Sequence, residues 1–186
     1  DGEKVASYIP DDEQGQYTAV RALLTEGYRR PLCLHLPEGH LATTRRRQGL
    51  ERACREAGLD PDSLEHCYMG LGDEHYRDIP AVLLAHMQNG IPRFDAVICG
   101  NDRIAFMVYQ TLLGQGLRIP DDVAVIGYDN MVGIGELFLP PLTTVQLPHY
   151  EIGRLSALHI INGEEHQETT RVESPFLLRD SVAQAT

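Results

Sequence analysis

The side chains best suited to hold a ligand are Arg46, Asn101 and Asp129. A guanidinium presents paired N–H donors, an amide both donates and accepts, and an ionised carboxylate accepts from two adjacent hydroxyls. Together these groups suit a neutral polyol such as a sugar. Arg46 is conspicuous by position, because it shares a helical stripe with Leu50, Ala53 and Ala57 at offsets of four, seven and eleven. An arginine there reaches a ligand, pairs with a core acid, or snorkels from the helix end. Asn101 and Asp129 each follow a short apolar run, residues 94–100 and 123–128. Their competing roles are local: Asn101 or Asp102 caps the next helix, and Asp129 forms a turn.

Other chemistry-bearing patterns are weaker. Cys33, His35 and His40 form a Cys-x-His-x4-His spacing that puts Cys33 and His35 on one strand face. No fourth ligand or recognised zinc spacing accompanies them, so no metal is expected. Gly70-x-Gly72 lacks the third glycine and the helix start of a nucleotide loop. There is no Gly-x-Ser-x-Gly elbow, and the serines have no motif context. Nothing recommends an enzyme, and no cofactor is expected.

The two apolar runs that precede Asn101 and Asp129 suit strands buried on both faces, as a parallel sheet requires. Their polar ends then lie at the carboxyl rim, where open α/β sheets bind ligands. The surrounding pattern alternates regularly. Strands are predicted at residues 5–9, 30–36, 64–69 and 142–145, and a last one at 172–178. Helices are predicted after Asp11-Asp12, from Thr43 or Thr44 to Gly58, over residues 76–88 with Pro80 in the first turn, from Asn101 to about Leu113, and from Pro148 to Gly163. The segment from Met131 to Pro141 reads as irregular or briefly helical, and residues 164–170 as a charged loop. The fold class is therefore α/β with a doubly wound parallel sheet.

Composition narrows the class. The 186 residues, 42% hydrophobic, can bury one sizeable core or one core plus part of a second. The 16 basic and 27 acidic side chains give a net charge of −11, which repels phosphate backbones, so this stretch alone should not bind DNA. Lys4 is the only lysine. Cys33, Cys54, Cys67 and Cys99 have no close pairing and read as buried reduced thiols of a cytoplasmic protein. No window reaches the ~18 apolar residues of a membrane span, and residues 1–4 do not resemble a signal peptide. The helix from Asn101 carries a second apolar stripe, Phe106, Tyr109 and Leu113, beside the sheet-facing Ile104, Val108 and Leu112. With Leu137-Phe138-Leu139 it suggests a homodimer surface, contact within the same chain being the rival.

Several blocks carry a resemblance. They include Leu23 to Arg30, Arg46-Arg47-Gln48-Gly49-Leu50, residues 96–105, Gly116 through Asn130, and Pro140-Pro141-Leu142-Thr143-Thr144-Val145. Tyr150, Ile152-Gly153 and Leu178-Arg179-Asp180-Ser181-Val182 fit as well. On these the chain resembles the effector-binding core of the lactose-repressor family of bacterial transcription regulators, almost from end to end. The resemblance implies a periplasmic-binding-protein-like fold. It places Arg46, Asn101 and Asp129 on the family's ligand-contacting arginine, asparagine and aspartate. Family members often stack an aromatic on the ligand after the third strand; here that region reads Gly70 to Tyr76, so the aromatic is absent or shifted to Tyr76.

The resemblance also implies a division. Residues 1–145 are expected to form the C-terminal effector-binding subdomain, residues 146–163 a helix of the N-terminal subdomain, and residues 164–186 a return segment to the C-terminal one. The N-terminal subdomain is expected to be partial, and the DNA-binding headpiece to lie outside this stretch. The expected function is small-effector sensing, for a sugar or sugar derivative, coupled to operator DNA through that headpiece. A periplasmic sugar-binding protein of a transport system is the alternative, and an α/β enzyme a third possibility.

Overall fold

The computed structural model describes residues 5–130, 133–164 and 167–183. The strands and helices, in chain order, are β1 (Ser7–Pro10), α1 (Asp12–Thr25), β2 (Pro31–His35), α2 (Leu41–Glu56), β3 (Glu65–Tyr68), α3 (Ile79–Ala85), β4 (Met87–Gln88), β5 (Ile91–Pro92), β6 (Ala96–Cys99), α4 (Asp102–Gly114) and β7 (Ala124–Ile126). There follow α5 (Ile134–Leu137), β8 (Thr144–Val145), α6 (His149–Asn162), β9 (Thr169–Val172) and β10 (Phe176–Leu177). Met131, Val132, Glu165 and His166 of the two irregular segments lie outside the described residues.

A four-stranded parallel sheet in the order β3-β2-β6-β7 is the centre of the molecule. Its strands β2, β6 and β7 are buried along their length, so both faces must be covered. On one side α1 and α2 bring Ala19, Val20, Leu23, Leu50 and Ala53 against Cys33, Ile98 and Ile126. On the other, α3 and α4 bring Ile79, Leu83, Ile104, Val108 and Leu112 against Leu34, Val97 and Val125. This is the doubly wound α/β arrangement that the alternating pattern predicts.

The ends of elements follow local chemistry. Asp11 caps α1 by accepting from the amide of Gln14, and Asn101 caps α4 by accepting from the amide of Ile104. Pro80 sits in the first turn of α3, which is shorter than predicted because residues 73–78 form a 3-10 turn before it. Residues 87–92 are a two-stranded ribbon rather than the end of that helix. Asn89 and Gly90 at its turn have φ of 53° and 77°, the left-handed pair that an Asn-Gly dipeptide favours. α2 opens at His40 without a side-chain cap, and Thr43 instead donates its hydroxyl to the carbonyl of Pro37.

A second, smaller assembly lies outside the main sheet. β1 pairs in parallel with β9, and α6 packs on β1. The last strand expected at residues 172–178 is thus two strands, β9 beside β1 and β10 antiparallel to β8. The segment after β10 returns to the main sheet, where Ser181 accepts from the amide of Val125 through its carbonyl and donates its hydroxyl to the Val125 carbonyl. Cys33, Cys54, Cys67 and Cys99 are free thiols, all but Cys67 buried. No helix among the described residues is long and apolar enough to cross a membrane.

Candidate functional site

The carboxyl ends of β2, β6 and β7 bring Arg46, Asn101 and Asp129 to one rim. Arg46 is buried near the start of α2. Its Nε donates to Asp12 Oδ1 at 2.9 Å and its Nη1 to the carbonyl of Gly100 at 2.6 Å. The guanidinium also lies over the ring of Tyr128, 3.6 Å from its centroid. Arg46 thus has the core acid as its partner, and its Nη2 still faces Asp129, 3.9 Å from Oδ1. That gap is too long for a hydrogen bond. Asp129 makes no side-chain hydrogen bond among the described residues, so its oxygens keep their acceptor capacity.

Asn101 fills its expected capping role and also meets Tyr76. Its Oδ1 caps α4, while its Nδ2 donates to the hydroxyl of Tyr76 at 2.8 Å. One amide N–H of Asn101 and the proton of the Tyr76 hydroxyl remain for another partner. Tyr76 therefore joins the site through Asn101 and stands at the mouth beside Arg103, whose guanidinium is 4.4 Å from the ring centroid.

The backbone aims Asp129 inward at a conformational cost. Asp129 and Asn130 have φ of 109° and 46°, in the region that L side chains rarely adopt. Such residues cost ~1–3 kcal/mol each and persist where the surroundings over-determine them. Here the Asp129 amide donates to Val145, its carbonyl accepts from Leu147, and the Asn130 side chain is held by Arg179 and Gln146.

Electrostatics set the charge of the rim. Burial pushes the Asp129 carboxyl up to about 7; Arg46 opposes this, and the nearby Asp102 and Asp12 add to it. Burial likewise pushes Asp102 up to about 6, against the opposing influence of the Thr144 hydroxyl, the Asn130 and Tyr128 amides and Arg179. Asp102 Oδ1 accepts from Thr144 at 2.7 Å, whereas Oδ2 is buried and meets no donor in hydrogen-bonding geometry. Asp12, Tyr128 and the Gly100 carbonyl are neighbours of the rim that sequence reasoning did not single out for a ligand, and Asp102 was named there only as the rival of Asn101 for the cap of α4. One signal for Asp102 was available in Gly127, where an added Cβ would stand 2.2 Å from Asp102 Oδ1. A side chain there would exclude the carboxylate.

The residues expected at a dimer surface divide into two pairs. Phe106 and Leu113 are exposed on α4. Tyr109 and Phe138 are not available for a partner: they are buried against each other with ring centroids 4.8 Å apart, and the Tyr109 hydroxyl donates to the Pro140 carbonyl. Leu137-Phe138-Leu139 folds over α4 within the same chain, which covers that half of the stripe. The Cys33, His35 and His40 spacing is also rearranged. His40 is exposed at the start of α2, while His66, opposite Cys33 in the β2–β3 register, takes its place beside Cys33 and His35.

Over residues 1–180 the chain matches the family described as periplasmic binding proteins and sugar binding domain of LacI family. The chain belongs to this family. Among its LacI-family relatives, the sucrose operon repressor of Escherichia coli is 55% identical over 98% of the chain and 55% of that protein. The HTH-type transcriptional repressor PurR of Vibrio vulnificus (strain CMCP6) is 34% identical over 94% of the chain and 52% of its own length. The chain thus spans about half the length of the curated relatives it matches. A LacI family regulator from Enterococcus faecium with bound ribose superposes with a TM-score of 0.82 at 28% identity, covering 100% of this chain and 68% of that one. The transcriptional regulator CelR in complex with cellobiose gives 0.77 at 27%, covering 96% and 54%. The chain shares the periplasmic-binding-protein-like α/β fold of these two structures, and the named relatives are transcriptional repressors or regulators rather than enzymes.

Proposed function

We propose that this chain is the effector-sensing core of a bacterial transcriptional repressor, and that its effector is a sugar or sugar derivative held by Arg46, Asn101 and Asp129, with Tyr76 at the mouth. One observation carries the reading. A carboxylate with no hydrogen bond of its own faces a buried, pre-aligned guanidinium across 3.9 Å at the carboxyl rim of the sheet. An adjacent pair of hydroxyls would donate to Asp129 and accept from Arg46 and Asn101. The bound ribose and cellobiose of two structural neighbours favour the same ligand class.

Sensing requires two states with different ligand affinity. In this reading residues 1–145 are chiefly the C-terminal subdomain. The helix at residues 146–163, with the β1–β9 pair it packs on, belongs to the N-terminal subdomain, and the remainder of residues 164–186 returns to the first. Effector bound between the two would favour one orientation and shift operator affinity by a coupling of ~1–3 kcal/mol, through a headpiece elsewhere in the protein. The repressor acts as a homodimer in the cytoplasm, with Phe106 and Leu113 at the contact.

The family description also covers periplasmic binding proteins, which makes a transport role the second reading. Thermal unfolding of the full-length protein with sucrose, its component hexoses, sugar phosphates and purines tests the effector class. A sugar at ~100 times its Kd adds about 2.7 kcal/mol of stability. Operator binding that changes with the same sugar supports sensing; stabilisation by a sugar without any operator binding favours transport. A shift with purines alone removes the sugar assignment.

A further inference from the structure

The face of the main sheet opposite α3 and α4 holds a second cluster of chemistry-bearing side chains, remote in role from the polyol rim. Cys33 and His35 alternate onto one face of β2, and the parallel register sets His66 of β3 opposite Cys33. One donor atom from each of the three lies within 4.8 Å of the other two. Cys33 and His35 are buried and His66 is half-buried on β3, an edge strand of this sheet, which gives the cluster an entrance.

Hydrogen bonds hold the two imidazoles side by side, and one of them, His66, already turns a lone pair inward. His66 Nε2 is 2.9 Å from the Pro61 carbonyl, which can only accept, so that nitrogen carries the proton. His66 Nδ1 then presents its lone pair inward, 2.8 Å from His35 Nε2. A backbone carbonyl that fixes the tautomer of a histidine is the supporting contact common to metal-ligating histidines. The His35 ring is clamped between His66 and Tyr68, with centroid separations of 5.1 and 4.8 Å. The Tyr68 hydroxyl is held in turn by Arg47, which is paired with Glu51.

We propose that Cys33, His35 and His66 form a three-coordinate site for a single cuprous ion. Charge and softness select this ion. A thiolate and two neutral imidazoles around Cu(I) make a neutral group, which burial tolerates, whereas a divalent ion would leave a net positive charge near Arg47. A thiolate with imidazoles is also a donor set suited to Cu(I). Binding breaks the S–H bond of Cys33 and the hydrogen bond between His35 and His66. The thiol proton leaves to solvent, the His35 proton moves from Nε2 to Nδ1, and the metal takes one lone pair from each residue with no change in oxidation state. The Cys33 thiol gives up its proton as the metal binds, so uptake of the ion is coupled to proton release.

Anaerobic titration of the full chain with Cu(I), in competition with a chromophoric cuprous chelator, tests the site. One equivalent should bind with release of one proton and a sulfur-to-copper absorption band in the ultraviolet. Cys33→Ser should abolish the band. His66→Ala, at a half-buried position that folding tolerates better, should lower affinity by more than the ~10–100-fold that loss of a supporting contact costs. His40→Ala should leave binding unchanged. The proposal is overturned by a stoichiometry near zero, by unaltered affinity in folded His66→Ala, or by Zn(II) outcompeting Cu(I) for the same residues.

Discussion

At the residue scale the rim works by holding charges that water would otherwise shield. Removing Arg46 leaves Asp12 buried without its partner, so Arg46→Ala should lower stability by ~3–5 kcal/mol as well as abolish sugar binding. Chemical denaturation read beside ligand titration distinguishes the two effects. Asp129→Ala should weaken sugar binding by ~1–3 kcal/mol by leaving ligand hydroxyls unpaired; wild-type affinity in that variant would remove Asp129 from the site. The raised Asp129 carboxyl fixes the sign of the pH effects. Between its ordinary value of 3.8 and about 7 the folded state binds more protons than the unfolded one. Stability therefore falls as pH rises through this window, and the cost is fully present above about 7. Asp102, raised to about 6, adds to the same slope. Asp129→Asn should flatten the decline in Tm from pH 5 to 8. A polyol needs the ionised carboxylate, so its affinity should rise towards pH 8 with uptake of hydroxide or release of a proton, measurable by calorimetry in two buffers.

At the scale of elements the decisive contact is between α1 and α2, because it carries Arg46 to Asp12. The helices approach so closely at Gly49 that an added Cβ would stand 2.1 Å from the Glu13 carbonyl. Gly49→Ala should force them apart and destabilise the chain by ~1–3 kcal/mol or more. It should also weaken sugar binding through displacement of Arg46, although it touches no ligand. Urea unfolding and ligand titration of the one variant check both effects. A neutral outcome would mean that α1 shifts without disturbing the rim. α4 plays a comparable part on the other side, where Asn101 caps it and so fixes the amide that meets Tyr76.

Over the whole molecule, the main sheet presents a rim at one end and an apolar surface on α4 and α5. Phe106 and Leu113 are 50% and 46% exposed, and Leu137 and Leu139 are each 82% exposed. Phe106 also lines a groove with Tyr76, Arg103, Ile134 and Phe138. A patch of this kind fits a homodimer contact. Leu137→Glu should shift a dimer to monomer in analytical ultracentrifugation, since it places an unpaired carboxylate in an apolar contact. Unchanged mass would remove this patch as a dimer contact. On α6, Ile160 and Ile161 are 78% and 76% exposed.

The sequence by itself determined the alternation of elements, the parallel sheet and the rim positions of Arg46, Asn101 and Asp129. Those features follow from local periodicity and from caps and turns within a few residues, where side-chain chemistry acts on its own backbone. The Asn89-Gly90 turn carries a local signal of the same kind, but Met87 and Gln88 before it continue the helical pattern of residues 76–88. Tertiary structure alone decided what depends on partners distant in the chain. Asp12 meets Arg46 across 34 residues, and Asp102 is pressed against Thr144 across 42. Tyr109 and Phe138 carry the same apolar signal whether another copy or their own chain covers them, and only the path after β7 chooses between these. β1 finds β9 from the far end of the chain, and His66 displaces His40 beside Cys33 because parallel register, unlike spacing along one strand, is set by how whole strands align.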